Sequence, residues 1–320
     1  MRAVVTSGAG GPEVLSVAQV DRPTPGPGQV LIRTTAAGVN RADVMQRLGH
    51  YPPPPGEPDT IGLEVSGTVV EVGEGVEAPH VGSECVALLG GGGYAEYVAV
   101  NAGQVIPPPP GMDLVTAAGV LEVSATVVSN FDLAGVTGDS TVLIHGGAGG
   151  IGSFAIQYAH SIGATVVTTA SAEKLDYCRE LGADHAFPYS GDWVAATKDA
   201  VGGADMVLDN QGARYLSANI DALNPDGRIV IIGFMGGRKG EIELNKLMAK
   251  RAGVFSTGLR ARPAEQKAAI CRQMRDHVWP LFADGRLTSA PTRTYPLEDV
   301  VAAHEYFDSG EHRGKLVLTL

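Results

Sequence analysis

The glycines between positions 145 and 152 carry the clearest chemical signature in the chain. The segment reads HGGAGGIG and fits the pattern GxGxxG. It follows an apolar strand predicted at 141–145 and precedes a helix predicted near 153–162. Between a strand and a helix, such glycines allow a tight turn and a close backbone approach to a pyrophosphate, which binds at the helix N-terminus. A turn without a ligand is the alternative. The residues predicted to bind a dinucleotide are Gly147, Ala148, Gly149, Gly150 and Ile151.

The end of the next predicted strand indicates which dinucleotide is bound. An NAD site usually ends this strand with Asp or Glu, which accepts from the ribose hydroxyls. Here the segment 168–174 reads TTASAEK, and no acid stands at the strand tip. Ser171 can donate a hydrogen bond to a 2′-phosphate, and Lys174 can supply positive charge. The pattern favours NADPH over NADH, although Lys174 taken alone also fits a solvated helix lysine.

Composition excludes several functions. The chain has 320 residues, which suggests about two domains, and a formal net charge of −11, which disfavours binding to nucleic acid. No apolar stretch reaches the roughly 18 residues of a membrane span. The three cysteines are far apart, so neither a disulfide framework nor a Cys-rich zinc site is expected. We expect a cytoplasmic protein that binds neither nucleic acid nor membranes.

The sequence pattern changes after Pro110. The first 110 residues are rich in short β-branched runs, one of which predicts a strand at 84–88, and they contain two proline tracts, at 52–55 and 107–110. Beyond them, near-continuous apolar strands, including those predicted at 206–209 and 228–233, alternate with amphipathic helices, as in a parallel sheet covered on both faces. A further helix is predicted near 264–283. The sequence therefore predicts an α/β fold, with a doubly wound Rossmann domain joined to a β-rich domain.

Several segments resemble the medium-chain dehydrogenase/reductase superfamily. Besides the glycine-rich turn they are AGVNRAD at 37–43, GLEVSG at 62–67, GGYAEY at 92–97 and GKLVL at 314–318. The resemblance is greatest to the zinc-free quinone oxidoreductase branch, which includes the zeta-crystallin-like proteins. It implies a GroES-like catalytic domain at 1–124 and 259–320, and a Rossmann NADPH-binding domain at 125–258. The cofactor is expected in the cleft between them.

The resemblance also bears on metal binding. Zinc-dependent members place a Cys where this chain has Asn40 and a His where it has Leu63. The third ligand would fall near 121–124, a segment without Cys or His. Because catalytic zinc needs three protein ligands, Glu64 alone cannot hold it. We expect a metal-free site.

For the Rossmann domain, the resemblance implies further cofactor contacts. Thr126 resembles a threonine that contacts the nicotinamide, and Lys174 and Tyr189 match a pair that flanks the 2′-phosphate. Ala170 stands where the family often has Gly and narrows that pocket. The residues expected to line the nicotinamide side are Phe234, Met235 and Gly236.

For the GroES-like domain, the resemblance implies that Asn40 lies beside the nicotinamide ribose or the substrate. Tyr51 resembles a substrate-pocket tyrosine, and Lys315 is assigned to the cofactor site. Simpler interpretations remain open: Asn40 as a turn residue, and Tyr51 packed on the proline tract. Asp43 is interpreted as structural, because Arg41 and Arg47 are close enough in sequence to pair with it.

The predicted reaction is hydride transfer from NADPH to a quinone, with Asn40, Tyr51 and Thr126 as catalytic residues. The alternative is reduction of an activated carbon–carbon double bond in an enone or enoyl thioester, for which Arg260 and Arg262 could form a basic rim. A non-enzymatic role in NADPH binding is a third possibility.

The segment 251–257 is expected to form an edge strand of the Rossmann sheet. In a monomer, an exposed edge strand bearing Val254 and Phe255 could pair with strands of other chains and cause aggregation. In the family that this chain resembles, the same edge pairs with its two-fold mate. We therefore expect a homodimer, with Leu244, Leu247 and Met248 adding apolar contacts.

Overall fold

Two compact units make up the computed structural model, which describes every residue from Met1 to Leu320. The β-rich unit comprises Met1–Ala125, Leu259–Gly285 and Ser289–Leu320. The parallel-sheet unit comprises Thr126–Gly258 and Arg286–Thr288.

The chain forms fifteen strands and eleven α-helices. The strands are β1 (Arg2–Thr6), β2 (Leu15–Gln19), β3 (Gln29–Val39), β4 (Glu64–Val72), β5 (Glu84–Leu88), β6 (Tyr97–Asn101), β7 (Val105–Ile106), β8 (Thr141–His145), β9 (Thr165–Ala170), β10 (His185–Pro188), β11 (Ala204–Asp209), β12 (Leu223–Ile231), β13 (Gly253–Ser256), β14 (Thr292–Pro296) and β15 (Lys315–Thr319). The helices are α1 (Arg41–Arg47), α2 (Leu114–Ala117), α3 (Leu121–Ala134), α4 (Gly150–Ser161), α5 (Leu175–Glu180), α6 (Trp193–Val201), α7 (Leu216–Ala222), α8 (Leu244–Lys250), α9 (Ala264–Gln273), α10 (Trp279–Ala283) and α11 (Val300–Ser309).

The parallel-sheet unit contains a six-stranded sheet in the order β10-β9-β8-β11-β12-β13, and all of its strands are parallel. The order reverses between β8 and β11, as in a doubly wound Rossmann fold, where ligands bind at the carboxyl ends of the strands. Its core includes Leu143, Val167, Val207 and Ile229, all fully buried. These residues lie on strands that read as continuous apolar runs, and the α/β prediction is confirmed.

The β-rich unit contains a seven-stranded sheet in which β3 pairs with β4, β6 and β15. Only the β14–β15 pair is parallel, and β1 and β2 form a separate antiparallel pair. Helix α1 starts directly after β3, so that Asn40 joins the end of a buried strand to a helix N-terminus. This junction positions the polar residues of the unit.

Two predicted elements differ most from the structure. The strand expected at 228–233 begins earlier and ends at Ile231, because the chain then turns and Met235 donates its N–H to the carbonyl of Asn210. The helix expected at 264–283 is interrupted by a π-helical turn at Met274–Val278. Pro280 follows this turn, at a position where its missing N–H is tolerated in the first turn of α10.

All three cysteines are buried and unpaired: Cys85, Cys178 and Cys271. Burial raises the pKa of Cys85 and of Cys271 to about 12, and that of Cys178 to about 11. None of the helices combines the length and the apolar character that a membrane span requires.

Candidate active site

The glycine-rich turn connects β8 to α4 and leaves no room for side chains at two positions. A Cβ on Gly147 would lie 2.2 Å from Oγ1 of Thr168, on the neighbouring strand β9. A Cβ on Gly152 would lie 2.2 Å from the carbonyl oxygen of Gly146. Gly146 itself has a φ of +74°, which favours glycine. The turn is therefore shaped by backbone packing against β9 and against itself.

Gly149 differs, because a Cβ there would find its nearest neighbour at 3.5 Å. It caps the twelve-residue helix α4 without a side chain. The N–H groups of the first helical turn, which includes Gly150 and Ile151, have no intrahelical acceptors and carry the positive end of the helix dipole. This arrangement can bind a phosphate through the backbone.

The tip of β9 combines four predicted cofactor contacts. Ala170 is buried, and its carbonyl accepts from the N–H of Tyr189, 3.0 Å away, at the end of β10. Oγ of Ser171 is buried and has no hydrogen-bond partner. The N–H of Lys174 donates to the carbonyl of Ser171 at 3.0 Å in the short 3₁₀ turn that follows. An unpaired buried hydroxyl is costly, so this corner fits an acceptor such as a phosphate oxygen.

Asn210, which the sequence analysis did not single out, lies beside the glycine-rich turn. Its Nδ2 donates to the carbonyl of His145 at 3.1 Å, and its own carbonyl accepts from the N–H of Met235 at 3.0 Å. These bonds join the turn to the loop that carries Phe234 and Met235, which are 49% and 59% exposed. A polar residue directly after the predicted strand at 206–209 is the signal that could have identified Asn210.

Thr126 lies in α3 and is buried. Its carbonyl accepts from Nδ2 of Asn130 at 2.6 Å. Its predicted contact with the nicotinamide, like that of Gly236, stays a prediction.

In the β-rich unit, Asn40, Glu64 and Lys315 form a closed polar cluster. Nζ of Lys315 donates to Oε1 of Glu64 at 2.8 Å, to Oδ1 of Asn40 at 2.7 Å and to the carbonyl of Val39 at 3.2 Å. Nδ2 of Asn40 donates to Oε1 of Glu64 at 3.0 Å, and Oε2 accepts from the N–H of Glu122 at 2.9 Å. The ammonium of Lys315 and the carboxylate of Glu64 therefore pair with each other inside the cluster.

The cluster bears on two predictions: the cofactor contact of Lys315 and the absence of a metal ion. Lys315 is 5% exposed and uses its three N–H donors on protein atoms, so the arrangement leaves none for the cofactor contact predicted from the resemblance. Nowhere in the chain do three or more His, Cys, Asp or Glu side chains come together as a metal site requires. Metal independence itself stays a prediction.

The predicted pairing of Asp43 is wrong. Arg47 and Arg41 instead pair with Asp308, Arg47 at 2.6 Å and Arg41 at 3.8 Å. Asp43 is fully buried, and its Oδ2 accepts from the N–H of Asn40 at 2.8 Å and from the hydroxyl of Tyr94 at 3.1 Å. Burial raises the pKa of Asp43 to about 7. Asp43 is the N3 residue of a capping box and holds the backbone of Asn40.

Arg260 anchors Tyr51 from within the β-rich unit. Its Nη1 donates to the carbonyl of Tyr51 at 3.0 Å, and the guanidinium lies 5.2 Å from the centre of the Tyr51 ring. Its other donors bind Gly90 and Gln46. Because Arg260 is only 4% exposed, its predicted place on a basic rim is wrong. Burial raises the pKa of Tyr51, so its hydroxyl stays protonated at neutral pH.

Two family models match this chain. Residues 26–110 match the alcohol dehydrogenase GroES-like domain, and residues 150–272 match the zinc-binding dehydrogenase family. A 2-haloacrylate reductase from a Burkholderia species is 33% identical and is matched over 98% of its length and 99% of this chain. The chain belongs to the medium-chain dehydrogenase/reductase superfamily. The resemblance stated from the sequence motifs is confirmed.

Other relatives in this superfamily differ in length. Prostaglandin reductase-3 from Bos taurus is 30% identical over 93% of this chain and 83% of its own length. The polyketide synthase GfsB from Streptomyces halstedii is 33% identical over 92% of this chain, which spans only 5% of that protein.

Solved structures of the superfamily have the same fold. A quinone oxidoreductase from Pseudomonas syringae superposes with a TM-score of 0.91 at 27% identity, covering 100% of this chain and 99% of the other. The Escherichia coli quinone oxidoreductase complexed with NADPH gives 0.88 at 26% identity, with both chains fully covered. An NAD-dependent alcohol dehydrogenase gives 0.87 at 30% identity, again with full coverage. The chain is a pyridine-nucleotide-dependent oxidoreductase of this superfamily.

Proposed function

We propose that this protein is an NADPH-dependent reductase that transfers a hydride to a quinone without a metal ion. The observation that carries the choice of NADPH is the tip of β9. Oγ of Ser171 is buried without a partner, and the N–H groups of Lys174 and Tyr189 donate to the carbonyls of Ser171 and Ala170. Strand β9 does not end in an acid that would repel a 2′-phosphate. The quinone oxidoreductase solved with NADPH supports this choice.

The chain's own residues supply binding and orientation. The backbone of Gly147, Ala148, Gly149, Gly150 and Ile151 would hold the pyrophosphate at the N-terminus of α4. Thr126, Asn40 and the segment Phe234–Met235–Gly236 would face the nicotinamide. When bound, the cofactor supplies the hydride, and the protein orients the reactants.

A quinone acceptor needs little acid catalysis, which matches the polar groups near Asn40 and Tyr51 in the β-rich unit. Reduction of a quinone places the new protons on oxygen, so solvent or one weak acid is sufficient. Tyr51 has a neutral hydroxyl, its backbone carbonyl and ring contact Arg260, and Asn40 is fixed by the Lys315–Glu64 pair. Fixed orientation of this kind can supply several kcal/mol of barrier reduction.

Reduction of an activated carbon–carbon double bond is the second candidate. The relatives named 2-haloacrylate reductase and prostaglandin reductase-3 favour it. Of the two arginines of the predicted basic rim, Arg260 is buried and occupied, and Arg262 is half-buried. A small enone or unsaturated acid, which needs no such rim, therefore fits better than an enoyl thioester.

A steady-state comparison tests the proposal. With NADPH and with NADH, kcat/KM is measured for 1,4-benzoquinone, 2-cyclohexenone, 2-chloroacrylate and crotonyl-coenzyme A. We expect the highest value for the quinone with NADPH. A higher value for an alkene would select the second candidate, and a preference for NADH would contradict the assignment of Ser171 and Lys174.

We also propose that the enzyme is a homodimer paired through β13. This strand is the edge of the parallel sheet, and Phe255 on it is 37% exposed. Leu244 and Met248, on the preceding helix α8, are 65% and 79% exposed. Light scattering is expected to give the mass of two chains, and Phe255→Lys is expected to give one, since an edge lysine opposes pairing. A wild-type mass of one chain would refute the dimer.

A further inference from the structure

A chain of buried polar side chains runs from helix α11 to the junction that carries Asn40. Its members lie far apart in sequence but within the β-rich unit. Nη1 of Arg47 is 3.1 Å from Nδ1 of His304, and Nε2 of His304 is 3.4 Å from the hydroxyl of Tyr94. That hydroxyl is 3.1 Å from Oδ2 of Asp43, which also accepts from the N–H of Asn40 at 2.8 Å. His304, Tyr94 and Asp43 are completely buried.

The direction of these hydrogen bonds follows from the chemistry of the groups. A guanidinium only donates, so the imidazole nitrogen that faces Arg47 must accept and carry no proton. The other nitrogen of a neutral His304 then carries the proton and donates to Tyr94. Burial and the charge of Arg47 lower the pKa of His304 to about 4, so the ring is neutral at physiological pH. The hydroxyl proton of Tyr94 is thereby directed to Asp43.

We propose that Tyr94 and His304 are positioning residues of the active site: they orient and polarise the Asp43 carboxylate that holds Asn40. This rests on the proposed function, in which Asn40 faces the nicotinamide. Asp43 is a fully buried carboxylate whose Oδ1 has no hydrogen-bond partner. The remaining oxygen, Oδ2, takes the donors of both Tyr94 and Asn40. The directed bond from Tyr94 therefore favours the charged form of Asp43, which is the stronger acceptor for the N–H of Asn40.

Other charged groups act on Asp43 as well. Lys315 lowers its pKa and Glu64 raises it, so the two opposite charges of that pair partly cancel. Arg47 is itself paired with Asp308. The ionisable groups near Asp43 are Arg47 on α1, Glu64 on β4, Tyr94 in the loop before β6, Arg260 before α9, His304 on α11 and Lys315 on β15.

The protonation of Asp43 predicts that activity falls at acid pH. Burial places the pKa of Asp43 at about 7 although hydrogen bonds from Asn40 and Tyr94 lower it. As the pH falls through this value, Asp43 becomes neutral and its hold on Asn40 weakens, so activity should decline on the acid side. Loss of the Tyr94 hydroxyl would raise the pKa by about 1 unit, as expected for one hydrogen bond.

The experiment is a pH profile of kcat/KM for Tyr94→Phe with NADPH and a saturable acceptor. We expect the acid limb to move up by about one pH unit, with a loss of about fivefold at pH 7 and recovery to within about twofold at pH 9. Tyr97→Phe, on β6 of the same unit, is the matched control and should leave the profile unchanged. Asp43→Asn mimics the protonated acid and should give low activity without an acid limb.

Two variants of His304 separate positioning from packing. Gln can accept from Arg47 and donate to Tyr94, so His304→Gln should keep a profile close to that of the wild type. His304→Leu removes both contacts and should shift the profile as Tyr94→Phe does. Loss of activity by an equal factor at every pH, or an unshifted profile in Tyr94→Phe, would overturn the proposal.

Asn40→Ala distinguishes this failure from failure of the proposed function. If Asn40→Ala retains wild-type kcat/KM, the assignment of Asn40 to the active site is wrong. If Asn40→Ala loses activity while Tyr94→Phe keeps the wild-type profile, only the positioning role is wrong.

Discussion

The two units of this protein prepare their candidate site residues in opposite ways. In the β-rich unit, Asn40, Glu64 and Lys315 satisfy one another and leave little unpaired. In the parallel-sheet unit, the carboxyl ends of the strands present backbone without side chains, and Ser171 has a hydroxyl without a partner. The polar groups of the first arrangement are already paired, whereas the second has donors that a ligand could still use. Removing a charge from the Glu64–Lys315 pair should therefore reduce stability, whereas substitution of Gly149 or Lys174 should reduce ligand affinity.

The largest effect is expected for Lys315→Met. It leaves the buried carboxylate of Glu64 without its cation, which typically costs about 3–5 kcal/mol in the free energy of unfolding. Urea unfolding measures the loss. The double variant Glu64→Gln with Lys315→Met should lose less than Lys315→Met alone, because no buried charge is then unpaired. If the free energy of unfolding of Lys315→Met lies within about 1 kcal/mol of the wild-type value, the proposed difference between the two units is wrong.

Two glycine variants of the glycine-rich turn test whether stability and ligand affinity depend on different positions within it. Gly147→Ala places a Cβ 2.2 Å from Oγ1 of Thr168 and should lower the free energy of unfolding by about 1–3 kcal/mol. Gly149→Ala has ordinary contacts and a φ of −80°, so the fold should tolerate it. We expect Gly149→Ala to weaken NADPH binding alone, measured by fluorescence titration. Equal stability of the two variants would contradict this interpretation of the turn.

Lys174→Ala should act on affinity only. Loss of a charged contact to the 2′-phosphate should weaken NADPH binding by about 1–3 kcal/mol and leave NADH binding and stability unchanged. Lys198→Ala, an exposed lysine on α6, is the control. If Lys174→Ala weakens binding of both cofactors equally, the phosphate site lies elsewhere.

The smallest effect is expected for metal removal. Prolonged treatment with a strong chelator should leave kcat unchanged, because the carboxylate of Glu64 is already occupied by Lys315 and Asn40. Elemental analysis should find well under one zinc per chain. Activity that is lost to the chelator and restored by zinc would refute the metal-free proposal.

Local patterns were sufficient to predict the Rossmann fold and the glycine-rich turn. Strands β5 and β8 begin and end at the residues predicted, because apolar runs bounded by glycine are local signals. Family resemblance supplied the candidate roles of Asn40 and Thr126, which single residues could not indicate.

Partners distant in sequence limited the prediction of the β-rich site. Asp43 was paired with arginines of its own helix, but its hydroxyl donor is Tyr94, 51 residues away. Arg47 contacts His304, 257 residues away. Such contacts depend on how strands and helices pack, and no local spacing encodes them. The prediction for Arg260 was wrong for the same reason, since its partners are Gly90 in a loop and Gln46 in helix α1, both distant in sequence.

The burial of all three cysteines has a consequence for the chemistry proposed above. Quinones and enones are electrophiles that alkylate thiolates. Because burial raises the pKa of Cys85 and Cys271 to about 12 and that of Cys178 to about 11, all three are protonated thiols at neutral pH. Their sulfur atoms are also inaccessible from the surface. The thiols of this chain should therefore resist alkylation by the acceptors proposed above.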